Sequence, residues 1–386
     1  MDRITSEAIL LCGPPVQAVG GGPTHIRNML ASPLRHRYRL VHFESGSRGT
    51  ESPAKDEPFV KKLSRIVGSP FALGWALWKY SPGVIHLNSA LDQKGFWRDL
   101  AYLLVGKLFR KKVALQIHGG SLADLCSSVG MKRVVRAVLS FPDAVVLLAS
   151  SEKRQFEDFG LTTRVVVIPN GVDVAQYSGS TPRRHSGQVK RLIYLGRLIP
   201  TKGIFETIDA VEILRTDPKF SDIEFHIAGS GPAEKRLRDT IQRKRLENCV
   251  KLVGSLHGTD KVHFLQTADL FLFPTYHREG LPYSILESLA AGTPVVASRV
   301  AGIPDVVIDG QHGALIDAKS TAQIVDAIRR LASEGRIGDM SRNCHEWATK
   351  RLGLKRLADE FDALYSSLLP RGRYNLPRED QVSGRT

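Results

Sequence analysis

Short apolar runs alternate with helix-like stretches along this chain; the alternation breaks once, at a polar segment, and then starts again. Ala8–Leu11, Tyr38–Phe43, Val84–Leu87, Val113–Ile117, Ala144–Ala149 and Val165–Ile168 read as short buried strands, most of them separated by helical sequence. Continuous apolar runs of this length suit parallel strands covered on both faces, which need crossover helices between them. The stretch from Gln176 to Gln188 is polar and punctuated by Gly and Pro, as a linker is. Beyond it, strands are predicted at Leu192–Leu195, Ile223–Ala228, Val250–Val253, Leu270–Phe273 and Pro294–Ala297, and helices at Ile204–Leu214, Ala233–Leu246 and Tyr283–Ala291. This pattern predicts the α/β class, as two Rossmann-like doubly wound domains facing across a cleft. A chain of 386 residues fits two domains better than one. The expected division is 1–175, a linker at 176–189, a second domain at 190–345, a helix at 346–369 returning toward the first domain, and a loose tail at 370–386.

Open α/β sheets bind ligands beyond the carboxyl ends of their strands, so the cleft between the two domains is the expected site. No run of about 18 apolar residues occurs, and Met1–Gly13 does not read as a signal peptide, since its apolar run leads straight into a Gly-Pro turn. Cys12, Cys126, Cys249 and Cys344 form no CxxC pair and read as reduced thiols of a cytoplasmic protein. The net charge is +15, and residues 1–177 carry 23 Lys and Arg against 14 Asp and Glu. Such a surface suits nucleic acid, anionic lipid or a phosphorylated substrate, or simply solubility.

Two constellations point to chemistry. Gly196-Arg197 follows a strand directly and Lys202-Gly203 opens the next helix, placing two cations beside a helix N-terminus, where a diphosphate is well held. Two surface cations in a loop are the alternative. Further on, Glu279-Gly280-Leu281-Pro282 leads into a helix that carries Glu287. A carboxylate accepts from two sugar hydroxyls at once, and amides at a helix start suit a sugar or phosphate. An acid favoured by the helix dipole, followed by an ordinary helix Glu, is the plainer reading.

These residues occur in a fixed order with Ala228-Gly229-Ser230-Gly231-Pro232, Gly254, Pro294–Ala297 and Gly302-Ile303-Pro304-Asp305. Together they resemble the retaining glycosyltransferase family 4, of the GT-B fold, over nearly the whole chain and most specifically over 190–317. The resemblance implies an N-terminal acceptor-binding domain and a C-terminal domain that binds a nucleotide-sugar. It implies that Arg197 and Lys202 hold the donor diphosphate and that Glu287 binds the ribose hydroxyls. Glu279, with the amides of Gly280 and Leu281, would grip the donor sugar. The strand end at Val253, Gly254 and Leu256 would flank the base, and Gly229 and Gly231 would line that pocket or only shape a turn. In the first half, Val19-Gly20-Gly21-Gly22-Pro23 resembles the family's glycine-rich loop near the donor phosphates, with a flexible loop as the equal alternative; Gly21 and Gly22 are the residues expected there. Gln116-Ile117-His118-Gly119-Gly120 resembles the strand-end His facing the donor sugar, although a single His is often structural. Gly119 stands where many relatives have an acid, and Asp305 where they often have Glu. Pro169-Asn170-Gly171-Val172-Asp173 reads as a turn that positions the linker, without contact to ligand.

No Asp-x-Asp occurs, so Arg197 and Lys202 are expected to do the work of a divalent metal, and no cofactor is implied. Catalysis is assigned to His118, Glu279, Arg197 and Lys202. The resemblance implies retention through front-face attack, with double displacement on Glu279 as the other route. The donor expected is a UDP-sugar rather than a GDP-sugar, and the acceptor a saccharide or lipid-linked saccharide of cell-surface polysaccharide synthesis. Basic amphipathic stretches at Phe59–Ile66, Phe96–Lys112 and Met131–Arg136 suit an anionic membrane face of a peripheral enzyme at the inner leaflet, or ordinary packing on a sheet. Competing readings are a nucleotide-sugar epimerase, a sugar phosphorylase, and a nucleic-acid-binding protein, the last lacking any zinc, recognition-helix or RRM signature.

Overall fold

Most of the apolar runs form strands because their side chains are buried on both faces of a sheet at once, while the edge runs Arg39–Glu44, Arg164–Val167 and Val250–Gly254 are only partly covered. The computed structural model describes residues 7–45, 59–178, 189–277 and 279–370, the side chains of 59–67 excepted. The first sheet comprises β1 (Ala8–Gly13), β2 (Arg39–Glu44), β3 (Val84–Leu91), β4 (Lys112–Gly120), β5 (Ala144–Leu147) and β6 (Arg164–Val167), in the order β2-β1-β3-β4-β5-β6. The second comprises β7 (Arg191–Leu195), β8 (Glu224–Ala228), β9 (Val250–Gly254), β10 (Leu270–Phe273), β11 (Val295–Ser298) and β12 (Gly313–Ile316), in the order β12-β11-β10-β7-β8-β9. Pairing is parallel in both. The α/β class and the two doubly wound sheets are as the sequence predicts.

Strand order reverses beside β1 in the first sheet and beside β7 in the second. Crevices therefore open beyond Gly13 and Asn88 on one side and beyond Gly196 and Pro274 on the other, because helices leave in opposite directions there. Several boundaries differ from the sequence reading. Tyr38 precedes β2 as a buried ring, and β5 stops at Leu147 because Ala149 is the N-cap of the helix Ser150–Asp158. The edge strand β12 was not expected; at four residues beginning with Gly313 it carries little periodicity. The glycine run is not a loop: Gly21 and Gly22 are the first two residues of the helix Gly21–Ala31, with Gly20 at φ 136° as its N-cap.

The chain end forms two helices, Ile337–Arg351 and Leu354–Leu368, because Gly353 adopts an extended conformation between them. The helix Ile337–Arg351, which the reading divides at 345, packs whole on the second domain through Met340, Cys344 and Ala348. The helix Leu354–Leu368 crosses to the first domain, where Leu357, Phe361 and Tyr365 join Ile9, Leu11 and Ile26 in one core. Residues 179–188 of the expected linker and 371–386 of the expected tail lie outside the described residues. All four cysteines are free thiols.

The last helix is thus part of the first domain's core. Phe361 is fully buried, so Phe361→Ala is expected to lower the free energy of unfolding by about 3–5 kcal/mol. Urea denaturation measures this, and a loss below about 1 kcal/mol would mean that the helix only rests on the surface.

Candidate active site

The ends of β7, β8 and β9 are laced together by backbone. The Gly196 amide donates to the Ala228 carbonyl (3.1 Å), Leu198 to Ser230 (2.9 Å), Ala233 to Leu198 (3.0 Å) and Gly229 to Gly254 (2.7 Å). Two glycines are obligatory in this weave. Gly229 has φ 136°, and a Cβ there would stand 1.9 Å from the Gly196 carbonyl oxygen; at Gly231 it would stand 2.4 Å from that of Leu198. Val253 and Gly254 are exposed at the rim of this floor, and Leu256 packs partly against the core beneath it.

The two expected cations differ. Arg197 is exposed, and its guanidinium pairs with no acid among the described residues, while its carbonyl accepts from the Tyr194 hydroxyl (3.0 Å). Lys202 ends a 3-10 turn, Pro200–Lys202; Gly203 at φ 75° then starts the helix Ile204–Leu214. A Cβ on Gly203 would stand 2.0 Å from the Pro274 carbonyl oxygen, so glycine alone lets this turn lie against the end of β10. As a result the Lys202 ammonium meets the Glu279 carboxylate in a nearly buried ion pair and lies 5.0 Å over the Phe273 ring. Thr275 Oγ1 donates to the same Glu279 oxygen (3.5 Å) and accepts from the His277 amide (3.1 Å). His277, exposed beside this pair, is held below its ordinary pKa by partial desolvation; Glu279 opposes this, while Lys202 and then Arg197 add to it.

Glu287 lies in the helix Tyr283–Ala290, whose N-cap is Pro282. It is almost fully buried, and its Oε1 accepts from Lys261 Nζ (2.7 Å). Nothing in the local sequence of Lys261 distinguishes it from other helix lysines, so the sequence carries no signal of this pairing.

The two domains meet at these residues. Glu279 forms an antiparallel bridge with Gly119 at the end of β4. A Cβ on Gly280 would stand 2.6 Å from the His118 carbonyl oxygen and 2.9 Å from Leu148, so this backbone contact exists only with glycine. Asn170 Nδ2 donates to the Leu281 carbonyl (2.9 Å), His25 Nδ1 lies 3.2 Å from the Tyr283 hydroxyl, and the Ser150 amide donates to Asp305 (2.6 Å). Gly21 also faces the Tyr283 ring, whereas Gly22 packs on Pro14 within its own domain. Asn170 was expected to set the linker; it instead reaches the segment that carries Glu279 and Gly280. Asp305, the shorter acid of the motif, caps a helix of the opposite domain.

His118 is held by Asn88. The amide nitrogen of Asn88 donates to the Cys12 carbonyl (3.0 Å), which leaves its oxygen to accept from His118 Nε2 (2.8 Å). His118 is therefore assigned the Nε2–H tautomer with a bare Nδ1. Burial lowers its pKa to about 4, so it is neutral near pH 7 and no general acid there. The His25 ring packs edge-on at 4.6 Å, and burial holds it well below the ordinary value, with His118 next among the causes. His86, between Tyr365 (2.6 Å) and Gln116 (2.9 Å), is lowered by burial to about 3.

Two doubly wound parallel sheets joined at their carboxyl edges define the GT-B architecture, and solved structures agree. A sucrose-phosphate synthase from Thermosynechococcus elongatus superposes with a TM-score of 0.75 at 19% identity, over 94% of this chain and 99% of that one. The Anabaena protein HepE, in complex with UDP-glucose, superposes with a TM-score of 0.72 at 21% identity, over 93% and 99%. The family model described as "Glycosyl transferases group 1" matches residues 182–351, and "Glycosyltransferase Family 4" matches 19–176. The chain belongs to the group 1 glycosyltransferases of the GT-B fold. Its relatives include a glycogen synthase of Mycobacterium tuberculosis, 30% identical over 54% of this chain and 50% of that protein. A putative teichuronic acid biosynthesis glycosyltransferase of Bacillus subtilis, TuaC, is 30% identical over 66% and 62%. The matches thus span half to three-fifths of these relatives' lengths.

The buried histidines make stability pH-dependent. Their folded pKa values lie below the ordinary value of about 6.5, so the unfolded chain takes up protons that the folded chain refuses. Their stabilising contribution is complete above about pH 6.5 and is lost progressively as pH falls toward 3–4. The urea midpoint should therefore fall steadily from pH 7 to pH 5. In His86→Gln the dependence of unfolding free energy on pH should be shallower by about 1.4 kcal/mol per unit near pH 5. An unchanged slope would mean that His86 is protonated in the folded state.

Proposed function

We propose that this chain transfers a hexose-type sugar, with retention of configuration, from a nucleotide-sugar to a saccharide or lipid-linked saccharide acceptor in cell-surface polysaccharide synthesis. The observation that carries this reading is the meeting of Lys202, Glu279, Gly280 and His118 at one seam between two strand-end crevices. Arg197 and Lys202 would neutralise the leaving diphosphate, so that no divalent metal is needed; fixed charges aimed at a developing charge stabilise the transition state without reorganising. A carboxylate already bound to an ammonium is a poor nucleophile, and this favours front-face attack over a covalent intermediate on Glu279. His118, neutral and bearing a lone pair, would accept a hydrogen bond from a sugar hydroxyl. A UDP-sugar is the preferred donor, in keeping with the UDP-glucose complex of HepE, and the cell-surface role is in keeping with the teichuronic acid biosynthesis in the name of TuaC.

The test is a thermal-shift panel of UDP, GDP, ADP and their sugar conjugates, with and without EDTA, on wild type and Glu287→Ala. A ligand at 100 times its dissociation constant adds about 2.7 kcal/mol. One nucleotide should raise the melting temperature equally in EDTA and lose its effect in Glu287→Ala; UDP is expected. Net transfer to acceptor with release of nucleoside diphosphate then separates a transferase from an epimerase, and a need for inorganic phosphate would mark a phosphorylase. A panel without any shift, together with salt-sensitive DNA binding, would overturn the reading. Lys202→Ala should lower kcat about 10²–10³-fold, the loss usual for one transition-state donor.

A further inference from the structure

The helices Phe59–Tyr80 and Gln93–Leu108 lie side by side on the first sheet. Their inner residues Leu73, Leu77, Phe96 and Leu103 share one core, and the Phe109 ring lies 3.6 Å from where a Cβ on Gly74 would stand. Outer faces of such helices ordinarily carry polar side chains. Here they do not. Phe71, Trp75 and Trp78 recur at helical spacing on one stripe, as do Leu104 and Leu108 on the other; Phe71, Trp78 and Leu108 are 77%, 75% and 79% exposed. The glycosyl-transfer site uses none of them. A contiguous apolar face of this kind on the surface marks a place of contact.

Its surroundings indicate with what. Residues 68–112 carry seven Lys and Arg against two acids, and one of these, Asp99, is buried against Arg98. Lys79 Nζ lies 4.6 Å over the Trp75 ring, and Arg110-Lys111-Lys112 follows Phe109 directly. Indole rings favour the headgroup level of a bilayer, Phe and Leu favour the acyl boundary beneath, and Lys and Arg meet lipid phosphates. A protein interface would be expected to be poorer in Lys. No helix among the described residues is long and apolar enough to span a membrane, so contact through this face is by lying on it.

We propose that this face, with Trp75 and Trp78 as its centre and the adjoining cations as its rim, docks the chain on an anionic lipid surface. The sequence alone placed such contact on basic stretches: the side chains of Phe59–Ile66 lie outside those described, and the structure moves the weight to the aromatic stripe that follows. The inference does not depend on the donor, so the two can fail separately.

The experiment uses the full chain with vesicles of phosphatidylcholine alone or mixed with phosphatidylglycerol, read by sedimentation and by tryptophan fluorescence. Wild type should sediment with the anionic vesicles and shift its emission to the blue. The double variant Trp75→Ser/Trp78→Ser should bind at least about tenfold more weakly, equivalent to some 1.4 kcal/mol, with an unchanged circular dichroism spectrum. Arg110→Gln/Lys111→Gln should weaken binding most at low salt. The proposal is overturned if wild type stays in solution with anionic vesicles at low salt, or if the tryptophan variant binds as wild type does. It is equally overturned if light scattering finds a dimer that the tryptophan variant dissociates, since a second copy would then cover the face. Nucleotide-induced thermal shifts, run on the same samples, should be equal in all of them.

Discussion

The structure depends on one close approach. The Gly280 backbone lies against the His118 carbonyl, at a distance that no side chain tolerates, and Glu279 pairs with Gly119 beside it. This contact brings the carboxyl edges of two separate sheets together, and with them the switch-point crevices where doubly wound sheets bind ligands. The other crossings reinforce it. Asn170 holds the Leu281 carbonyl, Tyr283 faces His25, and Asp305 caps Ser150, so the segment 279–283 is gripped from several sides. The helix Leu354–Leu368 ties the chain end to the first domain's core and so closes the connection from the other direction.

Electrostatics at this seam follow from burial. Lys202 and Lys261 each have a nearly buried carboxylate as partner, Glu279 and Glu287, while Arg197 stands exposed. Removing one member of such a pair leaves a charge without compensation. A diphosphate arriving between Arg197 and Lys202 would share the Lys202 ammonium, whose three N–H donors can serve Glu279 and a phosphate oxygen together. The histidines obey the same rule with the opposite outcome: lacking an acid beside them, His25, His86 and His118 are kept neutral by burial and contribute geometry and lone pairs instead of protons.

Much of the fold was legible because unbroken apolar runs have few destinations other than parallel strands. The edge strand Gly313–Ile316 was not, being short and glycine-initiated. Gly229 and Gly231 could be seen as special, but whether they touch ligand or shape a turn depends on carbonyls across the sheet, and the turn requires them in any case. Asn170 and Lys261 escaped for a different reason. Asn170 acts on a carbonyl 111 residues away, and Lys261 on an acid 26 residues away, neither distance leaving a local pattern. The glycine run misled in detail, since a helix start and a loop share the same composition; the hydrogen bond from the Thr24 amide to the Gly20 carbonyl (3.1 Å), which closes the first helical turn, separates them.

The central claim is that Lys202, now paired with Glu279, is the cation that receives a donor diphosphate. Calorimetric titration of wild type and Lys202→Ala with UDP and with uridine tests it most directly. Hydrogen bonds to charged groups contribute about 1.5–3 kcal/mol, or roughly 10- to 150-fold in affinity. Wild type should bind UDP far more tightly than uridine, and Lys202→Ala should lose about that factor for UDP while uridine binding is unchanged. Equal affinity of the two proteins for UDP, or UDP bound no more tightly than uridine, would contradict the account.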